Sequence, residues 1–198
     1  MFHKQDKMKL IGLTGGIGSG KSTFLNWFQK WGVPCFESDL VGRNLLDSSL
    51  KRDVILRFGD EMYVDGKLDR RKLSEKVFSD SKALNNLNEI VHPAVGQVFK
   101  NFLFKYRNAP FIINESAILF ETGRYKKFDK LILITSPIEE RIKRVTLRDK
   151  ISENEVLSRM EQQLSDKKKI KLADYVIENI AMDRFYFQAK ELLIKLKK

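Results

Sequence analysis

Gly15-Gly16-Ile17-Gly18-Ser19-Gly20-Lys21-Ser22 is the stretch that decides the fold. It fits the pattern of Gly, four residues, then Gly-Lys-Ser/Thr. The run before it, Lys9-Leu10-Ile11-Gly12-Leu13, reads as a short buried strand, and the run after it, Thr23 to Lys30, as the start of a helix. Strand, loop and helix together point to a phosphate-binding loop. The alternative is a flexible Gly-rich turn with a solvated lysine. Glycines let the backbone aim successive N–H groups at phosphate oxygens. The helix then starts with unpaired N–H groups and a partial positive charge facing the same anion. Gly16, Ile17, Gly18, Ser19, Gly20, Lys21, Ser22 and Thr23 are therefore the expected contacts to a nucleoside triphosphate. Lys21 would reach the β- and γ-phosphates, and the Ser22 hydroxyl would bind a magnesium ion, Mg2+.

The chain has 198 residues, which favours one compact domain carrying an insertion. Folding at this size buries roughly 70% of the unfolded surface, enough for a self-sufficient core. Its single cysteine, Cys35, excludes an internal disulfide and fits a reducing cytosol. It lies in the apolar run Val33 to Phe36 and reads as core. Met1 to Lys9 is polar, with no apolar signal segment, and no stretch approaches the ~18 apolar residues of a membrane span. A soluble, cytoplasmic protein with no membrane partner is expected.

The net charge of +11 suggests an anionic partner: nucleic acid, a membrane surface or a polyphosphate ligand. From Arg141 to Lys171 there are ten Lys/Arg and five Asp/Glu but no aromatic residue. Binders of single-stranded nucleic acid usually interleave aromatics for base stacking, so small phosphorylated ligands are favoured.

Five apolar runs have strand length: Leu10–Leu13, Val33–Phe36, Phe111–Ile113, Leu131–Ile134 and Tyr175–Ile177. Helical patterns separate them, the signature of an α/β protein with a parallel sheet flanked by helices. Residues 40–108 are rich in helix formers with apolar periodicity, as in Leu84, Leu87, Ile90 and Val91, and read as a helical insertion. Ser136-Pro137-Ile138-Glu139 and Ser152-Glu153-Asn154-Glu155 both carry helix-start signals, with Ser136 and Ser152 as caps. Two helices therefore follow the fourth strand, with a hinge near Lys150 to Ser152. Arg141, Arg144 and Arg148 share one face of the first of these. That face is either solvated or part of a lid, over 138–171, that closes guanidinium groups on a triphosphate.

Asp39-Leu40-Val41-Gly42 fits the Asp-x-x-Gly element of GTPases, but no Asn/Thr-Lys-x-Asp element for guanine is present. A large motor ATPase is disfavoured by size. A small-molecule kinase needs only a phosphate loop, an acceptor pocket, a lid and a carboxylate near the acceptor hydroxyl. The alternatives are a nucleoside or nucleotide kinase with the same core, a nucleotide-dependent nucleic-acid-binding protein and a nucleotide switch that phosphorylates nothing.

Along nearly its whole length the chain resembles the dephospho-coenzyme A kinase family. The landmarks occur in order: Ile11 to Thr23; Ser38-Asp39; Phe58-Gly59; Asp65-Gly66-Lys67-Leu68-Asp69-Arg70; Val91-His92-Pro93; and Leu119-Phe120-Glu121. Then come Arg144, Arg148-Asp149, Arg159, Gln162-Gln163 and Ala173 to Asn179. The departures are Glu37 in place of the first Asp of Asp-x-Asp, Ala117 in place of a proline, and Glu115 where Asp is common. Met1 to Lys7 have no counterpart, and Met8 is an alternative start.

The resemblance implies a P-loop kinase-like core with an acceptor-binding insertion and a lid. It also implies ATP and dephospho-coenzyme A as substrates, with transfer to the ribose 3′-hydroxyl and no nucleic-acid partner. Asp39 would be the base, or alternatively a helix cap. Lys21 with Arg144 or Arg148 would stabilise the transferring phosphoryl group. Glu115 would hold magnesium through water, or be a loop carboxylate. Arg70 and His92 would contact the acceptor, with structural roles as their alternatives. Asn179 would border the adenine, or be a turn residue.

Overall fold

A computed structural model describes residues 8–198; Met1 to Lys7, including the unmatched start of the chain, lie outside the described residues. In chain order the elements are β1 (Lys9–Gly15), α1 (Lys21–Lys30), β2 (Cys35–Glu37), α2 (Ser38–Leu46) and α3 (Lys51–Phe58). A hairpin follows, β3 (Tyr63–Val64) and β4 (Lys67–Leu68), then α4 (Arg70–Ser79), α5 (Ser81–Lys105) and β5 (Phe111–Glu115). The rest is β6 (Lys130–Thr135), α6 (Ile138–Asp149), α7 (Glu153–Glu161), α8 (Asp166–Ile170), β7 (Tyr175–Glu178) and α9 (Met182–Leu196). The chain divides into two compact units. One runs to Phe36 and resumes over Tyr106–Lys198; the other is Glu37–Lys105.

The first unit is built on a five-stranded parallel sheet in the order β2-β5-β1-β6-β7. All five apolar runs form its strands. They are apolar without alternation because both faces are covered. The two-residue period still sorts the side chains. Ile11, Leu13, Ile132 and Ile134 face α1 and α9 and pack with Phe24, Phe28, Phe185 and Leu192. Leu131 and Leu133 face the other way, against Leu119 and Phe120. Gly12 belongs to that second layer. A Cβ there would lie 2.8 Å from side-chain carbons of both Leu119 and Leu131, so a side chain at this position would make that layer shift to stay packed on β1. Cys35 is half-buried against the first layer. With β1 at the centre of the sheet, its carboxyl end is the edge where ligands bind in open α/β sheets.

The second unit holds α2 to α5 around Val54, Phe58, Met62, Leu68, Leu73 and Val77, with Leu87 and Ile90 of α5 packed on them. Its β3–β4 hairpin turns on Asp65 and Gly66, whose φ values are 48° and 79°. That hairpin is an addition to the strands read from the sequence. No helix among the described residues is long and apolar enough to cross a membrane.

Candidate active site

The loop between β1 and α1 is shaped by its own residues. Gly18 and Gly20 have φ of 77° and 103°, a region that L side chains rarely enter. Gly20 is the residue before α1 and has no side chain to cap it, and the first turn holds no acidic residue. The positive end of the helix is therefore left to an external anion. The Lys21 ammonium donates to the carbonyls of Gly15 (2.8 Å) and Gly16 (3.4 Å) and lies 3.9 Å from Glu115 Oε1. Glu115 ends β5 and pairs in register with Leu13 of β1, which sets it beside the loop. Ser22 is exposed in the first turn of α1, with Thr23 half-buried next to it.

Three more elements touch the loop. Asn179, just past β7 and 4% exposed, donates from Nδ2 to the Ser19 carbonyl at 2.8 Å. Its amide occupies the space that a side chain at Gly20 would need. From α6, Arg144 Nη1 lies 3.4 Å from the Gly18 carbonyl and 3.0 Å from Ser136 Oγ. Arg141, one turn earlier, is buried, and its Nε donates to the Ile17 carbonyl at 2.9 Å. Beyond α7, Gln163 Oε1 accepts from the Ile17 N–H at 2.9 Å.

The structure therefore brings Lys21, Glu115, Arg144 and Asn179 to the loop. Arg148 points elsewhere. It is forked onto Asp149 through Nε (2.7 Å) and Nη2 (3.0 Å), and Asp149 also takes Arg159 at 3.4 Å. The hydrogen bond with Asp149 raises the pKa of the Arg148 guanidinium, and burial opposes the shift. Arg141 and Gln163 appeared in the sequence only as part of an arginine face and of a lid landmark. Their place on the loop is new.

One sequence expectation is corrected. Ser136 does not cap α6, whose first helical residue is Ile138 and which has no side-chain cap. Its hydroxyl donates instead to the Asn179 carbonyl at 2.8 Å, which ties the end of β6 to the end of β7. The other start signal is realised in full: Ser152 and Glu155 form a reciprocal capping box on α7.

The remaining candidates lie in the helical unit. Asp39 is the second residue of α2, immediately after β2, and is half-buried. Arg70 pairs with Asp47 across that unit. Asp69 caps α4 by accepting from the Lys72 N–H at 3.0 Å. His92 is exposed on α5, whose helix continues through Pro93.

A hard divalent cation fits the donors beside the loop, a serine hydroxyl and a carboxylate. Among the described residues no three His, Cys, Asp or Glu side chains converge on a point. The oxygen set is thus one that phosphate oxygens would have to complete, as is usual for magnesium.

The sequence profile of the dephospho-CoA kinase family matches residues 9–183. A dephospho-CoA kinase of Thermus thermophilus is 36% identical over 179 residues, 90% of this chain and 87% of that protein. A crystal structure of a Thermus thermophilus protein superposes with a TM-score of 0.88 at 33% identity, covering 96% of this chain and 98% of the other. The dephospho-CoA kinase from Campylobacter jejuni gives 0.68 at 25% identity, covering 95% and 96%.

Proposed function

The chain belongs to the dephospho-CoA kinase family, and from that premise we propose how its residues transfer the γ-phosphate of ATP to the ribose 3′-hydroxyl of dephospho-CoA. Coenzyme A and ADP are the products. The observation that carries the reading is the loop itself. Uncapped helical N–H groups, the Lys21 ammonium, the Glu115 carboxylate and the Arg144 guanidinium all converge on one end of β1.

The backbone N–H groups of Gly16, Gly18, Gly20, Lys21, Ser22 and Thr23 cradle the triphosphate, while those of Ile17 and Ser19, expected from the sequence to join them, are held by Gln163 Oε1 and the Gly16 carbonyl and shape the loop. Lys21 exchanges the Gly15 and Gly16 carbonyls for the β- and γ-phosphate oxygens, a short swing of a flexible side chain. Arg144 stabilises charge on the transferring group, with Arg148 joining when the outer part of the lid, from the end of α6 through α7, closes and excludes water while Arg141 and Gln163 stay on the loop. Phosphoryl transfer depends mostly on such positioning and electrostatics, and one well-placed arginine contributes about 10³–10⁵-fold.

Asp39 accepts the proton of the attacking hydroxyl, and Arg70 and His92 hold the acceptor. Asn179 serves the nucleotide by fixing Ser19 and Gly20 at the border of the adenine subsite. Ser22 and Glu115 would hold magnesium, which when bound neutralises charge on the phosphates. The single thiol of Cys35 suits a reducing cytoplasm.

The test is ADP release by the purified protein with Mg-ATP, with and without dephospho-CoA, and identification of coenzyme A by mass. Acceptor-dependent turnover is expected. Protein that binds ATP but shows no acceptor dependence would refute the reading.

A further inference from the structure

Ile17 has both of its peptide groups held by side chains that flank α7. Its carbonyl accepts from Arg141 on α6, and its N–H donates to Gln163 just past α7, each at 2.9 Å. Arg141 is 6% exposed, and its Nη1 meets Asp166 Oδ2 at 3.1 Å. Asp166 sits in a segment pinned from a different side. Gln163 Nε2 donates to the Ala117 carbonyl (3.3 Å), and the Leu164 N–H donates to Glu121 (2.9 Å). The fully buried Lys169 ammonium lies 2.9 Å from the same Glu121 oxygen, an ion pair without hydrogen-bond geometry. Asp166 is therefore a fixed anchor for the guanidinium. The Arg141 backbone meets the loop too. Its carbonyl oxygen lies 2.6 Å from where a Cβ at Gly18 would stand.

We propose that Arg141 and Asp166 are a positioning pair that holds the Ile17 peptide and presets the loop for the triphosphate. The inference rests on reading Gly15–Ser22 as the ATP-binding loop. Neither residue needs to touch a reacting group. A buried guanidinium with a fixed counter-charge keeps the loop in its binding shape before the nucleotide arrives, which removes part of the ordering cost of binding. Without it, the ligand must order the loop. That loss falls on ground-state affinity, so on KM for ATP rather than kcat. A merely structural role has the opposite signature: less active protein, with lower kcat at unchanged KM.

The experiment is calorimetric binding of a non-hydrolysable ATP analogue with Mg2+, alongside steady-state kinetics, on wild type, R141M, R141K, D166N and R141M/D166L. R141M is expected to weaken analogue binding and raise KM for ATP by about tenfold or more. Its kcat and KM for dephospho-CoA should stay within about threefold of wild type. R141K keeps the charge without the fork and recovers part of the loss. The double variant leaves no charge buried alone, so it folds and still shows the about tenfold loss. D166N shifts affinity the same way by about threefold or more. Wild-type affinity in D166N and in whichever Arg141 variant folds overturns the proposal. If wild type binds the analogue yet never phosphorylates dephospho-CoA, the kinase reading fails while the affinity ratios still decide this one.

Discussion

Gly16 is glycine for space rather than for backbone conformation, and a double-mutant cycle tests that statement. Its φ lies outside the left-handed region that Gly18 and Gly20 occupy, so the backbone accepts alanine. The obstacle is Arg141, whose guanidinium fills the volume of a Cβ at position 16. In Gly16→Ala the guanidinium must withdraw and give up the Ile17 carbonyl and Asp166. A hydrogen bond from a charged group contributes about 1.5–3 kcal/mol. The alanine returns about 0.4–1 kcal/mol by restricting the unfolded chain. The net loss in the wild-type background is therefore about 0.5–2.6 kcal/mol. In Arg141→Ala the space is empty and those interactions are already gone, so the same substitution should stabilise by about 0.4–1 kcal/mol. The coupling is about 1.5–3 kcal/mol. Urea unfolding read by Trp27 and Trp31, which pack against Phe28, Phe185 and Tyr186, measures it. Each kcal/mol also moves Tm by about 2–4 °C in a chain of this length. A coupling below about 0.5 kcal/mol, with Gly16→Ala equally costly in both backgrounds, refutes the steric account.

Asp39→Asn should lower kcat about 10²–10⁴-fold while affinity for an ATP analogue stays near wild type; an ADP-release assay showing less than about a tenfold loss removes Asp39 as the base. Lys169→Met leaves Glu121 without its buried cation. Unfolding should show a loss of about 3–5 kcal/mol, toward the low end because Glu121 keeps the Leu164 N–H; no loss would mean the pair is not desolvated. The Tyr63 phenol is raised in pKa by burial first and by the Asp47 carboxylate second, and it donates to the Leu46 carbonyl at 2.6 Å. A raised folded pKa means its stabilisation is complete below the unfolded value near 10.0 and fades as pH climbs through the folded value. Titration of tyrosinate absorbance should show a late component that Tyr63→Phe abolishes, and a single wave shared by all five tyrosines would contradict it.

Strand positions were legible because burial on both faces writes itself into contiguous residues. Leu131 to Ile134 is apolar whichever face each residue serves, so the run survives without knowledge of its partners. The β3–β4 hairpin carried a local signal as well. Asp65-Gly66 between Tyr63-Val64 and Lys67-Leu68 is the turn pair that a two-residue hairpin demands, within a stretch that is also a landmark of the family. Ser136 failed for the opposite reason. Its capping signal is local, but its hydroxyl is taken by Asn179, 43 residues away in the chain. Helix propensity cannot register that competitor.

The loop could be read because its chemistry fits in consecutive residues, whereas the arginines around it could not be ranked. Periodicity places Arg141, Arg144 and Arg148 on one face and gives them equal standing, yet they end in different surroundings. Arg141 is buried against Ile17, Arg144 stands 3.4 Å from Gly18, and Arg148 turns out to Asp149. What separates them is axial position. At about 1.5 Å per residue, Arg148 lies about 10 Å further along α6 than Arg141, beyond the span that one side chain covers. The start of α6 is fixed beside the loop by the Ser136–Asn179–Ser19 chain of hydrogen bonds, so proximity to the loop falls with each turn from Ile138. The face of a helix comes from spacing alone. The order along that face comes from where its first turn is anchored, and here that anchor is the bond that displaced the expected cap.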